Sequence, residues 1–204
     1  MDAHDWDERY RETALLWTAG PNRWVEQHTA ELPPGRALDL AAGEGRNALW
    51  LAERGWQVTA VDFSAVGMDK ARELAESRGG EAAGRVRWVV EDVLSHTPGG
   101  QYDLVLVVYL HLPAEQRRTA LQRAASALAP GGTLLVVGHH SDNLTHGVGG
   151  PPDPAVLYDE HDVLADLSSW TELTTETAEK RERAVADQPR PALDVVVEFR
   201  RAAS

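Results

Sequence analysis

A chain of 204 residues suffices for one compact α/β domain that buries most of its apolar surface without covalent staples. Its formal net charge of −12 argues against partners held through a phosphate backbone or an anionic membrane, because both demand clustered Lys and Arg; the nearest basic run, Glu179 to Arg183, alternates in sign. Cysteine is absent, which excludes disulfides, thiolate nucleophiles and cysteine-ligated zinc.

The first residues, MDAHDWDERY, carry acids where a secretory leader needs a basic patch, and no apolar run reaches bilayer length, so a soluble cytoplasmic protein is expected. Trp6, Tyr10, Trp17 and Trp24 follow at intervals of four, seven and seven, one face of a helix that Gly20 and Pro21 interrupt before Trp24. Segment 1–30 is therefore either an aromatic stripe packed on the body or a lid over a site, with Trp6 and Tyr10 as its candidate contacts. Short apolar strands then alternate with amphipathic helices: strands near 36–41, 57–62, 86–91, 102–109 and 133–138, and helices near 47–54, 64–78 and 113–128. Gly55, the Gly79–Gly80 pair and Pro130–Gly131 supply the helix stops. After a Gly- and Pro-rich loop from Asn143 to Pro154 come a short helix near 159–167 and two alternating runs, 173–181 and 193–201, that read as an antiparallel pair. The expectation is a single domain over 1–204, with a Rossmann-like core over 36–201. Its sheet has about seven mostly parallel strands, an antiparallel C-terminal pair and helices on both faces.

Between the first strand and the first core helix lies DLAAGEGRN, residues 39–47. Glycines at 43 and 45 let backbone pass close to a ligand. With Ala48 they make GxGxxA, and Asp62 stands nineteen residues beyond Gly43, where a carboxylate meets ribose hydroxyls. That spacing alone does not separate a nicotinamide dinucleotide from another adenosine-bearing cofactor. Asp39 tips the balance, since an acid at the end of the first strand repels a pyrophosphate and welcomes an ammonium and a sulfonium. Asp92 and Val93, closing the third strand, are placed to receive an exocyclic amine, and no second half remains for a nicotinamide.

The motifs LDLAAGEGRNALWLAERG, VTAVDFS, VEDV and YDLVLVVYLHLP, in this order over about 36–201, resemble the class I S-adenosylmethionine-dependent methyltransferases. GEGRNALWLA, WQVTAVDFS and the N-terminal WDERY are similar to the small-molecule branch with tellurite-resistance and thiopurine-type enzymes. The resemblance implies S-adenosyl-L-methionine as cofactor and S-adenosyl-L-homocysteine as product. Asp39 and the Gly43 and Gly45 backbone would hold the methionine end, Asp62 the ribose, and Asp92 with the Val93 amide the adenine, against which Phe63 would lie. Ala41 stands where the family carries its first glycine, which costs little if its φ is negative.

On the acceptor side the fourth strand runs into Tyr109, Leu110, His111, Leu112 and Pro113, without the Asn/Asp-Pro-Pro-aromatic motif of enzymes that methylate nucleobase amines. His111 is the residue expected to face the pocket, with Tyr109 beside it; the alternative is a histidine that satisfies backbone groups at the strand end. His139, His140 and His146 crowd the next edge. His139 or His140 would act as a base, with His146 on the lid loop, but adjacent strand residues point to opposite faces, so no metal site is expected. The function expected is methyl transfer to a small-molecule acceptor, through a chalcogen, thiol or hydroxyl nucleophile and without nucleic-acid or membrane partners. The alternatives are an NAD-dependent oxidoreductase and a non-catalytic S-adenosylmethionine-binding protein.

Overall fold

The structure, a computed structural model, describes residues 2–13 and 20–203. Its helices in chain order are α1 (Ala3–Arg11), α2 (Arg23–Thr29), α3 (Arg46–Glu53), α4 (Ala65–Arg78), α5 (Ala114–Ser126), α6 (Asn143–His146) and α7 (Glu160–Asp166). The strands are β1 (Arg36–Leu40), β2 (Gln57–Asp62), β3 (Val86–Val90), β4 (Tyr102–Val108), β5 (Leu128–His139), β6 (Leu173–Arg183) and β7 (Ala192–Arg201). They form one seven-stranded sheet in the order β3-β2-β1-β4-β5-β7-β6, with β1 to β5 parallel and β7 antiparallel to both its neighbours.

The central strands read as unbroken apolar runs because helices cover both faces. One layer packs Trp24 and Val25 of α2, Leu49 and Leu51 of α3 and Met68 of α4 on Ala37, Leu104, Leu106, Leu135 and Val137. The other packs Leu121 of α5 and Val163 of α7 on Leu38, Leu40, Val105, Val107, Leu134 and Val136. The free edge, β6, carries TETAEKRER, whose charges discourage pairing with another chain.

Three sequence expectations shift. α5 stops at Ser126 instead of near 128, and Leu128 already begins β5. Pro130 and Gly131 lie in a bulge, since Tyr102 pairs with Leu128 while Leu104 pairs with Thr133, and Gly131 has φ +74°. The stretch 143–154 opens with α6 and is pinned by Asn143, whose Oδ1 accepts the Leu193 amide at 2.7 Å and whose Nδ2 donates to the Gly149 carbonyl at 2.7 Å. The aromatic face is divided as well: Trp6 and Tyr10 sit on α1, Trp24 is buried on α2, and Trp17 lies outside the described residues. Among the described residues no helix is long and apolar enough to cross a membrane.

Candidate active site

Parallel strands β1 to β5 bring their carboxyl ends to one edge, and β7, running the other way, brings its start there too. At this edge the β1–α3 turn carries three successive left-handed residues at odd positions: Ala41 with φ +61°, Gly43 with +56° and Gly45 with +75°. The condition under which alanine at 41 costs little therefore fails, and the position carries roughly 1–2 kcal/mol of backbone strain. Gly45 is obligatory for packing: a Cβ there would lie 2.6 Å from the Trp88 ring and 2.9 Å from the Ala71 methyl. Its close approach to these side chains holds α3 against the sheet.

Asp39 ends its side chain at this turn, 1% exposed, with neither carboxylate oxygen hydrogen-bonded among the described residues. Burial, reinforced by the neighbouring Asp62, pushes its pKa up to about 7. A carboxylate in that condition is costly unless a cation meets it. Asp62 braces the turn, its Oδ2 accepting the Gly43 amide at 2.8 Å and its Oδ1 the Ser64 amide at 2.9 Å. Burial raises its pKa, and those two amides counter the shift. Phe63 follows, half-buried. Asp92 is exposed and caps its own turn through the Leu94 amide at 2.8 Å, while Val93 is buried beneath it. α1 docks beside these acids: Asp7 Oδ1 meets Ser64 Oγ at 2.5 Å, Tyr10 packs its ring on Gly67, and the Lys70 ammonium ties down the Tyr10 and Thr13 carbonyls. Trp6 stacks on Tyr10, with ring centroids 5.6 Å apart.

A second cluster adjoins the first at the ends of β4, β5 and β7. Its centre is Asp194, fully buried, which no sequence argument singled out. Asp194 Oδ2 accepts from Trp24 Nε1 at 2.8 Å, Tyr109 Oη at 2.9 Å and Arg183 Nε at 2.7 Å. The acid within the buried run ALDVVV was the available signal, since an acid inside a buried strand must gather donors. Tyr109 adopts φ +55°, strained for a bulky residue, and burial raises its hydroxyl pKa. Its ring lies 4.8 Å from that of His139, which in turn stacks on His111 at 5.3 Å.

The histidines part company here. His111 Nε2 accepts the His139 backbone amide at 3.1 Å, and burial, with His139 beside it, pushes its pKa down to about 3. The Nε2 lone pair is thus committed to the backbone, as in the alternative of a histidine that satisfies backbone groups at the strand end. The expectation for His140 is corrected: this residue faces the opposite side of the sheet, where Nδ1 accepts the Asp142 amide at 3.0 Å and Nε2 lies 3.3 Å from Glu160. His146 is exposed on α6, paired with Thr145. His139 alone stays at the cluster, its buried Nδ1 3.5 Å from Asp194 Oδ1 and hydrogen-bonded to nothing among the described residues. Burial lowers its pKa. Gly150, φ +80°, lies on the His139 ring, where a Cβ would come within 2.8 Å. Among the described residues no group of three or more His, Cys, Asp and Glu could hold a metal ion.

A methyltransferase-domain family model matches residues 37–132, the span from β1 through the bulge of β5. The tRNA 5-carboxymethoxyuridine methyltransferase of Escherichia coli (strain K12) is 34% identical over 136 residues, covering 64% of this chain and 49% of that protein. The N-methyltransferase NodS from Bradyrhizobium japonicum WM9, solved with S-adenosyl-l-homocysteine, superposes with a TM-score of 0.73 at 18% identity, covering 98% of this chain and 99% of that one. Residues 37–132 thus carry a methyltransferase domain, within a chain that has the fold of a methyltransferase solved with S-adenosyl-l-homocysteine. TehB from Haemophilus influenzae shares this methyltransferase fold, with a TM-score of 0.72 at 18% identity over 90% of this chain and 63% of that one. The chain spans about half the length of the curated relatives it matches.

The residues at this edge fit S-adenosylmethionine on their own terms. Neither Asp39 oxygen has a hydrogen-bond partner among the described residues, which leaves both for an ammonium, and the turn at Gly43 exposes backbone beside it. Asp62 has one amide on each oxygen, so each keeps a lone pair for a ribose hydroxyl. A surface cleft of about 210 Å³ opens at the opposite edge, lined by Arg36, Thr59, Arg85, Arg87 and Tyr102, far from all of these groups.

Proposed function

We propose that this chain transfers a methyl group from S-adenosylmethionine to a small-molecule acceptor whose nucleophile is a thiol, a chalcogen or a hydroxyl. The observation that carries the reading is Asp39: a buried carboxylate with no hydrogen-bond partner among the described residues, beside a turn of bared backbone, suits a zwitterionic amino-acid end and repels a dinucleotide's pyrophosphate. When bound, S-adenosylmethionine supplies the methyl group and the sulfonium that leaves. The chain's part is geometry. Asp39, Asp62 and Asp92 fix the cofactor from three strand ends, and Tyr109 and His139 wall the acceptor side.

For a protic acceptor His139 is the base. Asp194 beside Nδ1 favours the tautomer protonated there and leaves the Nε2 lone pair to take a proton. Its depressed pKa keeps the ring neutral at pH 7. The E. coli relative acts on a tRNA nucleoside by name, but a formal charge of −12 on this chain favours acceptors that are not polyanions.

Calorimetric titration with S-adenosylhomocysteine and, separately, NADH tests the cofactor assignment, and binding of NADH alone would overturn it. Radiolabelled methyl transfer to thiols, chalcogen oxyanions and phenols tests turnover. Cofactor binding without transfer to any of them or to a small-metabolite extract would reduce the protein to a binding module.

A further inference from the structure

The turn after β3 buries a histidine that neither the cofactor contacts nor the acceptor side accounts for. His96 is 7% exposed, and its Nδ1 lies 2.6 Å from Glu91 Oε2. A carboxylate only accepts, so Nδ1 carries a proton and donates. Nε2 is buried and meets no hydrogen-bond partner among the described residues. The main chain between the pair is tightly wound: the Asp92 carbonyl accepts the Ser95 amide at 3.0 Å and the His96 amide at 2.8 Å, and Asp92 Oδ1 accepts the Leu94 amide at 2.8 Å. Both ends are tied to neighbouring elements, since the Glu91 amide donates to the Asp62 carbonyl at 3.0 Å and Arg123 Nη1 of α5 donates to the His96 carbonyl at 3.1 Å. The Glu91–His96 bond therefore spans the turn from its first residue to its sixth, with Asp92 and Val93 inside the span.

As a filler for a buried position a histidine is poor, because an apolar side chain would leave no orphaned nitrogen. What the imidazole adds is a fixed end for Glu91, whose side chain is 41% exposed and would otherwise sample solvent. Fixing residues 91 and 96 to each other fixes the direction of the residues between them. On the reading above, in which Asp92 and the Val93 amide receive adenine, we infer that His96 and Glu91 are positioning residues for that recognition: their bond sets the turn before the cofactor arrives. A base edge is read by a donor and an acceptor at fixed separation. A turn already held in one shape gives up less freedom on binding than a loose one, and it rejects a base with the wrong edge more sharply. The same pair joins the two acids of the nucleoside side, since Glu91 is also bonded through its amide to the Asp62 peptide.

Calorimetry on the full chain compares S-adenosylhomocysteine with S-inosylhomocysteine, in which a ring carbonyl replaces the 6-amino group. The unaltered chain should prefer the adenosyl compound by about tenfold or more, because the Asp92 carboxylate accepts from the amine and repels the carbonyl. His96→Leu fills the buried space without a donor. It should keep the melting temperature within a few degrees, weaken S-adenosylhomocysteine about five- to tenfold and leave S-inosylhomocysteine within about twofold, so that the preference collapses. Glu91→Ala, a change at a half-exposed side chain, should do the same and decides the question if His96→Leu does not fold. Glu91→Gln, whose amide oxygen still accepts from Nδ1, should restore most of the preference. An unchanged preference in His96→Leu and Glu91→Ala, or equal weakening of both ligands, would overturn the positioning role and leave a structural bond. An unaltered chain that binds both ligands alike overturns the placement of adenine at Asp92, and the positioning role with it. Failure of S-adenosylhomocysteine to bind the unaltered chain at all sinks the methyltransferase reading instead, before any variant is compared.

Discussion

Replacing Asp39 by Asn removes a charge and keeps the shape, and the structure sets the sign of two effects in opposite directions. In the folded chain the carboxyl is lifted from its ordinary 3.8 to about 7 by burial, with Asp62 adding to it. The unfolded chain then holds fewer protons between those values, so the group destabilises the fold increasingly as pH rises from about 4 to about 7, and no further above that. At neutral pH the penalty against a neutral group of the same shape is about 4 kcal/mol, and leaving the new amide N–H groups unsatisfied returns roughly 1–3 of it. Asp39→Asn should therefore raise the melting temperature of the cofactor-free protein by a few degrees at pH 7. The gap should narrow as pH falls toward 4, where the native carboxyl is neutral too. The same substitution should weaken S-adenosylhomocysteine by roughly 10- to 150-fold, the loss of about 1.5–3 kcal/mol from a charged hydrogen bond. Differential scanning fluorimetry across pH and calorimetry measure the two effects. A variant that melts lower and binds normally would mean that Asp39 is an ordinary structural carboxylate with partners in solution, and the cofactor assignment would lose its main support.

Three further substitutions probe the same edge. Ala41→Gly should stabilise by about 0.5–1 kcal/mol, read from the urea midpoint, because relief of the left-handed strain exceeds the entropy that glycine adds to the unfolded chain. No gain would mean that the turn relaxes away from φ +61°. Gly45→Ala should cost about 2–5 kcal/mol, from strain at φ +75° together with the collision with Trp88, and trimming Trp88 to Leu in the same chain should recover part of it. His139→Gln should slow transfer to hydroxyl acceptors much more than to thiolates at alkaline pH. In the unaltered enzyme kcat/KM should hold its plateau to below pH 6.5 and fall as His139 gains its proton, because burial keeps its pKa under the ordinary value. A pH profile that is the same in the variant would remove the base.

The mostly parallel sheet of about seven strands, the helices on both faces and the antiparallel C-terminal pair were legible because each rests on local chemistry that the sequence displays. Val-rich runs, helix-stopping glycines and the period-two pattern of 193–201 all act within a few residues. The start of β5 was not legible, because Pro130 and Gly131 carry the same signal for a helix stop as for a bulge, and only pairing with Tyr102 distinguishes them. The place of Asp39 at the β1–α3 turn could be read because strand position fixes where it points. His111 and His140 could not be assigned, because their roles depend on which amide each ring meets: that of His139 for the first and that of Asp142 for the second. Asp194, Trp24 and Arg183 lie far apart in sequence, and their meeting depends on β7 running against β5 so that Asp194 pairs with His139.

The unfavourable choices in this chain gather at one edge. Asp39 with no hydrogen-bond partner among the described residues, Ala41 and Tyr109 in the left-handed region and Asp194 in a fully buried strand all lie at the carboxyl ends of β1, β4 and β5 or beside them. Each works against folding, by one to a few kcal/mol for strain or a buried charge, and the apolar layers on both sheet faces offset them. Strain and orphaned charge are tolerated where the same groups do something in the complex that they do not do in the free fold. At Asp39 the sign of the electrostatic term reverses once an ammonium arrives. The measurable consequence is that the cofactor should stabilise this chain more than its contacts alone suggest, because it also removes a penalty already present in the free protein.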